Sequence, residues 1–338
     1  VLSDAQIRII SNLVSDQSAN NPAAVIAAGP GASPTIGAVG DGSYIIPNVA
    51  PAGGVFAPYN GLFALFGQFF DHGLDLVGKQ KSNFVLMPLS QDDPLYVPGG
   101  RTNFMMLNRT DLSTSDAGVN STTPWIDQNQ TYGSHPSKNV FMRDYACATN
   151  AASSVAGPCV SGVTTPVSTG ELLNSAIAHN IANWSEVKRQ AANKLGIELV
   201  DMDIHDVPLL LTDEYGRFLR SSTGFPQVVT GNNGTTATVR VGNPATPVSA
   251  GVSTGHAFLD DIAHTANPKA GLTADSDSQI NNYPGQTSYD NELLDAHFIT
   301  GDGRGNENIG LTAIHTVFHA EHNRLWSYLQ GVINDATT

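Results

Sequence analysis

Four groups of residues carry chemistry by their type and spacing. In Gly67-Gln-Phe-Phe-Asp-His72 the carboxylate of Asp71 adjoins the imidazole of His72, with the amide of Gln68 one turn earlier. Histidine exchanges its proton near neutral pH, which suits acid–base catalysis. Residues 60–70 before it are apolar enough to be buried, and a buried charge must be paired or hydrogen-bonded. A polar turn closing a core helix is the competing reading, and these six residues weigh equally for both.

The second group is Gly301-Asp-Gly-Arg-Gly-Asn-Glu-Asn308, with Arg304 three residues before Glu307. A guanidinium keeps its proton and stabilises developing negative charge. Glu307 at a helix start also fits ordinary capping, the simpler reading. The third is the loop from Thr123 to Ser134. Side-chain oxygens of Thr123, Asp127 and Asn129, with the carbonyl of Trp125 between them, suit a hard cation such as calcium. The acidic positions of an EF-hand are missing, and an Asx-turn loop is the simpler reading. The fourth is His315, His319 and His322, whose spacing stacks three imidazoles on one helix face. Such a face can bind a transition metal, although Thr316 breaks any H-E-x-x-H pattern and structural histidines are the commoner outcome.

Stepping outward, the 338 residues suffice for one large domain or two ordinary ones. A net charge of −14 excludes the basic face that nucleic acid requires. The 33 glycines and 19 prolines imply long irregular connections. Cys147 and Cys159 in a small-residue loop imply a local disulfide and an oxidising compartment, with two free thiols as the alternative. No run of about 18 apolar residues spans a membrane. The opening Val-Leu-Ser-Asp, without Met, reads as a processed piece. There is no phosphate loop, no dinucleotide glycine motif and no G-x-S-x-G elbow.

The expected fold class is mainly α, a single helical domain with long irregular loops and little β structure. Residues 1–57 read as an arm, with a short helix from Ser3 and an extended stretch over 20–57, and 58–338 as the helical core. Within it the pattern predicts a helix from Asn60 ending near Gly73, polar loops over 80–135, and a short helix over 137–145. Residues 146–168 form the cysteine loop. Leu172–Leu195 is helical with a break at 180–184, and 208–240 is loop with one small hairpin. Helices follow at Thr254–Ala266 and Asp290–Ile299. The longest runs from Glu307 to Val332, with Leu311, Ile314, Val317, Phe318, Leu325 and Leu329 spaced for burial.

Taken together, the first three groups resemble the animal-type haem peroxidases of the peroxidase–cyclooxygenase superfamily. Gly67–His72 looks like that family's distal-helix motif, Thr123–Ser134 like its calcium loop, and Arg304–Glu307 followed by Glu-His-Asn-Arg-Leu325 like its distal arginine segment. Phrases beginning at Val207, Thr254 and Leu294 look like the bacterial, secreted branch. The resemblance implies a b-type haem and hydrogen peroxide as oxidant, with halides, phenols or manganese(II) as donors. His72 is then the distal acid–base, Arg304 the charge stabiliser and Gln68 a cavity-lining residue. Asp71 and Glu307 match carboxylates that form ester links to haem. Asn308 replaces a Met, so a third link is not expected.

Thr123, Trp125, Asp127 and Asn129 match the calcium ligands less cleanly. The residue after the distal His is Gly73 rather than Asp, which passes a ligand role to Asp75 or to water. The iron-ligating proximal His of the family has no counterpart after His322. A C-terminal segment or second chain is therefore the expected partner, and this chain alone supplies a distal half-pocket. A calcium-binding structural or adhesive module without turnover is the alternative function.

Overall fold

A computed structural model describes residues 19–20, 22–34, 42, 44, 61–91, 93, 96–110, 119–122, 125–149, 154–155, 157–160, 162–177, 180–230, 237–239, 246–247, 252–280, 285 and 287–337. Its regular structure is mainly helical with little sheet, as expected from the sequence. The helices are α1 (Pro22–Ala28), α2 (Leu62–His72), α3 (Asn129–Tyr132), α4 (Pro136–Met142), α5 (Trp184–Gln190), α6 (Asn291–Ala296) and α7 (Ile309–Thr337). The described residues form two compact units, one drawn from 1–60 and 77–120, the other from 61–76 and 121–338.

The first unit holds α1 and an antiparallel pair, β1 (Lys79–Pro88) and β2 (Phe104–Thr110), in register from Phe84↔Asn108 to Pro88↔Phe104. Two expectations change here. The stretch over 20–57 contains helix α1, and the loops expected from 80 contain this strand pair. Apolar residues Val85 and Met87 face Leu107 and Met105 across the pair, and such cross-strand contacts are what stabilise a ladder. The helix expected from Ser3 lies outside the described residues.

The second unit has a core around Trp184, Phe141, Phe258, Ile204 and Leu195. Helix α4 ends at Met142 and leads into β3 (Arg143–Ala148), which pairs on its two sides with β4 (Ser154–Val155) and β5 (Thr165–Leu172). Leu172 is thus in a strand. The expected helix to Leu195 begins only at α5, where the Asn183 side chain and Glu186 form a capping box, and it closes in a π-turn over Ala191–Leu195. Gln227–Val229 pairs with Ala237–Val239 as the anticipated small hairpin.

The helix expected over Thr254–Ala266 is absent. Asp206 Oδ1 accepts from the amides of Thr254 and Gly255 at 3.0 Å each, and Gly255 is left-handed at φ 75°. Phe258 and Asp260 donate to the carbonyls of Ile204 and Gly303. Distant acceptors have taken the amides that a helix would need.

Cys147 and Cys159 form the anticipated disulfide, buried against Phe225. It closes a loop of 12 residues' separation. Replacing both cysteines by serine is expected to lower stability by about 3 kcal/mol through the freed unfolded chain. Denaturant unfolding with and without reductant measures the loss.

Candidate active site

Helices α2 and α7 position the chemistry. They pack through Phe69, Leu311 and Ile314, and the Phe69 ring stacks on Phe318 at 4.5 Å and meets His315 edge-on at 4.9 Å. The Leu65 side chain packs onto Gly310, where a Cβ would lie 2.4 Å from Leu65 Cδ1. The rest of α2 is less buried than its composition suggests. Leu62, Phe63 and Phe66 are exposed, as are Val317, Leu325 and Leu329 on α7. His72 is one of the two buried residues of α2.

The cap of α7 is Asn308, not Glu307. Asn308 Oδ1 accepts from Leu311 N at 2.8 Å, and its Nδ2 donates to Gln68 Oε1 at 3.0 Å. Glu307 is thereby released from capping. Its Oε2 accepts from Gln68 Nε2 at 2.8 Å and lies 3.5 Å from His72 Nε2. Residues 239 apart in sequence thus meet in one polar cluster.

Arg304 is held on two sides. Its Nε and Nη2 donate to the two carboxylate oxygens of Asp302, each at 2.9 Å, a fork geometry. Nη2 also reaches the carbonyls of His72 at 3.1 Å and Asp75 at 2.8 Å. A cation at the C-terminus of α2 complements the helix dipole and satisfies an end carbonyl. Nη1 makes no hydrogen bond among the described residues.

Burial lowers the pKa of His72, and the charge of Arg304 lowers it further against Asp302, Glu307 and Asp71. The imidazole is therefore neutral near pH 7 and able to accept a proton. Burial alone would raise the pKa of Asp302, but the bonds from Arg304 hold it low, so it stays ionised. Beneath lies Lys138, fully buried, whose Nζ donates to the carbonyls of Ala257 at 2.7 Å and Phe258 at 3.3 Å. Burial pushes its pKa down to about 8, while Asp302 and Asp260 oppose the shift. Sequence reasoning missed both supports. Asp302 carried a weak signal, an acid two residues before the arginine. Lys138 carried none.

Asp71, next to His72 in sequence, is exposed, and so is Glu307. Gly301 brings the arginine turn against α3. A Cβ there would lie 2.3 Å from Asn129 O and 2.6 Å from Gly133 N, both backbone atoms. Gly301→Ala is expected to cost about 1–3 kcal/mol by overpacking, read as a fall in Tm.

The expected calcium loop is only partly a set of cation donors. Thr123 lies outside the described residues. Trp125 is 82% exposed, and Ile126 and Gln128 are left-handed at φ 53° and 60°. Asp127 Oδ1 accepts from Asn129 N at 3.2 Å and from Asn129 Nδ2 at 3.1 Å. The same Nδ2 donates to Gly73 O at 3.0 Å. A Cβ on Gly73 would lie 2.4 Å from Gln130 Oε1, so Gln130 occupies the space a side chain would take. Asp75 contributes its carbonyl to Arg304. Calcium takes six to eight oxygens, several of them carboxylates. One carboxylate with an amide nitrogen set between it and Gly73 O does not fit that ion.

The three histidines of α7 do not converge on a metal. His319 Nε2 bonds Asn174 Oδ1 at 3.0 Å, and His322 bonds Tyr132 OH at 3.0 Å and Gly170 O at 3.1 Å. His315 is buried, which pushes its pKa down to about 3. Among the described residues no group of three or more His, Cys, Asp or Glu side chains is arranged to hold a metal ion. These histidines anchor α7 to β5 and α3. A cleft of about 720 Å³ lined by Tyr132, Arg143, Tyr215 and Trp326, among others, excludes His72 and Arg304 and belongs to a different face.

The animal haem peroxidase family model matches residues 51–154 and 265–337. Among curated proteins none matches the chain. The two matched stretches contain His72 and Gln68 on one side and Arg304 and Glu307 on the other, the residues that the fold brings into one cluster. More than half of the chain is covered in this way, and the chain belongs to the animal haem peroxidase family.

Proposed function

We propose that this chain is the distal portion of a secreted haem peroxidase that uses hydrogen peroxide to oxidise small donors such as halides, phenols or manganese(II). The observation that carries the reading is the cluster itself: a buried neutral imidazole beside a guanidinium that is fixed by Asp302 and whose Nη1 is unengaged among the described residues. This chemistry fits a haem. Asp71 and Glu307, both exposed near His72, would hold it through their carboxylates. The disulfide supports an oxidising compartment.

Haem, when bound, supplies the electrons that reduce peroxide and the oxidising power later passed to the donor. His72 takes the proton from one peroxide oxygen and delivers it to the other, so that the departing oxygen leaves as water when the O–O bond breaks. Arg304 offsets the negative charge that builds on that oxygen. Gln68 is tied to Glu307 and Asn308 and orients the polar wall around His72. An iron-ligating imidazole would come, in this proposal, from a segment or chain outside these residues. The uncovered apolar stripe of Val317, Leu325 and Leu329 supports such a partner.

Two results follow. Purified full-length protein with haem bound is expected to oxidise bromide, a phenol or manganese(II) only when peroxide is added, and no peroxide-dependent oxidation of any donor contradicts the proposal. The second-order rate with peroxide is expected to fall on the acid side as His72 protonates. Burial and Arg304 lower the pKa of that group, so half of the rate is lost below pH 6.5, the ordinary histidine value. A pH–rate profile measures it.

A further inference from the structure

We infer that the described part of the loop supporting His72 is tied to it without a cation, the side-chain amide of Asn129 holding Gly73 O and Asp127 Oδ1 together. Gly73 follows His72 directly, so whatever fixes its carbonyl fixes the end of α2 at the catalytic imidazole. Asn129 is 2% exposed, and its Nδ2 carries two hydrogens. They are directed at Gly73 O, 3.0 Å away, and Asp127 Oδ1, 3.1 Å away. A donor at that point excludes a cation, which needs oxygens facing it. The amide is oriented from its other end, where Asn129 Oδ1 accepts from Thr122 Oγ1 at 3.1 Å.

The neighbouring residue closes the second half of the space. Gln130 is 2% exposed and reaches to within 2.4 Å of where a Gly73 side chain would begin. Two neutral amides thus stand where a divalent ion and an acidic side chain would balance each other. Among the described residues, Asp127 is the carboxylate that Asn129 bonds. Nothing in this inference depends on turnover, so it can fail while the peroxidase reading holds.

The test uses the full-length protein, with calcium chloride alone or chelator added, and thermal unfolding as the readout. The expected Tm is the same in both, and terbium(III) gains no sensitised emission from Trp125, the exposed indole of the loop. Asn129→Asp exchanges the donor for oxygen. That variant is expected to lose several degrees of Tm in chelator and to regain them with calcium. Asn129→Ala, used if the first variant fails to fold, is expected to lose stability equally in calcium and chelator. A wild-type Tm that rises with calcium, terbium emission from the wild type, or an Asn129→Ala variant as stable as the wild type in chelator overturns the inference.

Discussion

Replacing His72 by alanine in the haem-loaded full-length protein is expected to slow its reaction with hydrogen peroxide by about 10²–10⁴-fold, the range lost with a general acid–base group. The size follows from the site. Among the described residues no other imidazole bonds into the cluster of Gln68, Glu307 and Arg304. Glu307 is the nearest alternative base. It lies 3.5 Å from His72 Nε2, but it is held by Gln68 and serves in the proposal as a haem anchor. Because Phe69, rather than His72, makes the stacking contacts with Phe318, the packing of α2 on α7 is expected to survive the change. Stopped-flow absorbance at rising peroxide gives the rate constant directly. A variant as fast as the wild type would remove His72 from the chemistry.

Asp302→Ala is expected to be the most damaging change that touches no substrate. The Asp302 side chain is 1% exposed and that of Arg304 is 14% exposed. Removing one partner of a buried ion pair leaves the other uncompensated, which costs about 3–5 kcal/mol. The pair is also the tether that holds the guanidinium against the end of α2, so reactivity toward peroxide should fall together with stability. Asp302 further opposes the downward pKa shift of buried Lys138, whose charge would then stand with less compensation. Denaturant unfolding of the two proteins measures the stability term. Asp302→Asn keeps the shape and loses the charge, and it is expected to fall between them. The linkage has a definite sign. Arg304 lowers the folded-state pKa of Asp302, so its contribution is present above the unfolded value and is lost as pH falls through the folded one.

The residues of the polar cluster were legible because their types are concentrated in two short stretches, 67–72 and 301–308, where the chemistry of the side chains limits their uses. The long final helix was legible from periodicity, and the disulfide from two cysteines in one loop. What was not legible arises from tertiary contacts. The spacing of Ala257, Leu259, Ile262 and Ala263 resembles a helix, but Asp206, some fifty positions earlier, captures the amides of Thr254 and Gly255. Composition alone could not show that Phe66 of α2 and Leu325 and Leu329 of α7 would lie exposed while Phe69 is buried. Asp302 and Lys138 acquire meaning only beside Arg304 and the carbonyls of Ala257 and Phe258. Alternating oxygens at 123–129 matched a cation loop by type, while the direction of the hydrogen bonds from Asn129 to Gly73 O and Asp127 Oδ1 could be read only from the folded chain.

The most direct measurement is the absorption spectrum of the complete, haem-reconstituted protein before and after one equivalent of hydrogen peroxide. A Soret band that forms on adding haem and shifts on adding peroxide, with the shift slowed in His72→Ala, is the predicted result. Failure of the complete protein to take up haem, or a Soret band that peroxide leaves unmoved, would contradict a peroxidase site built on His72 and Arg304.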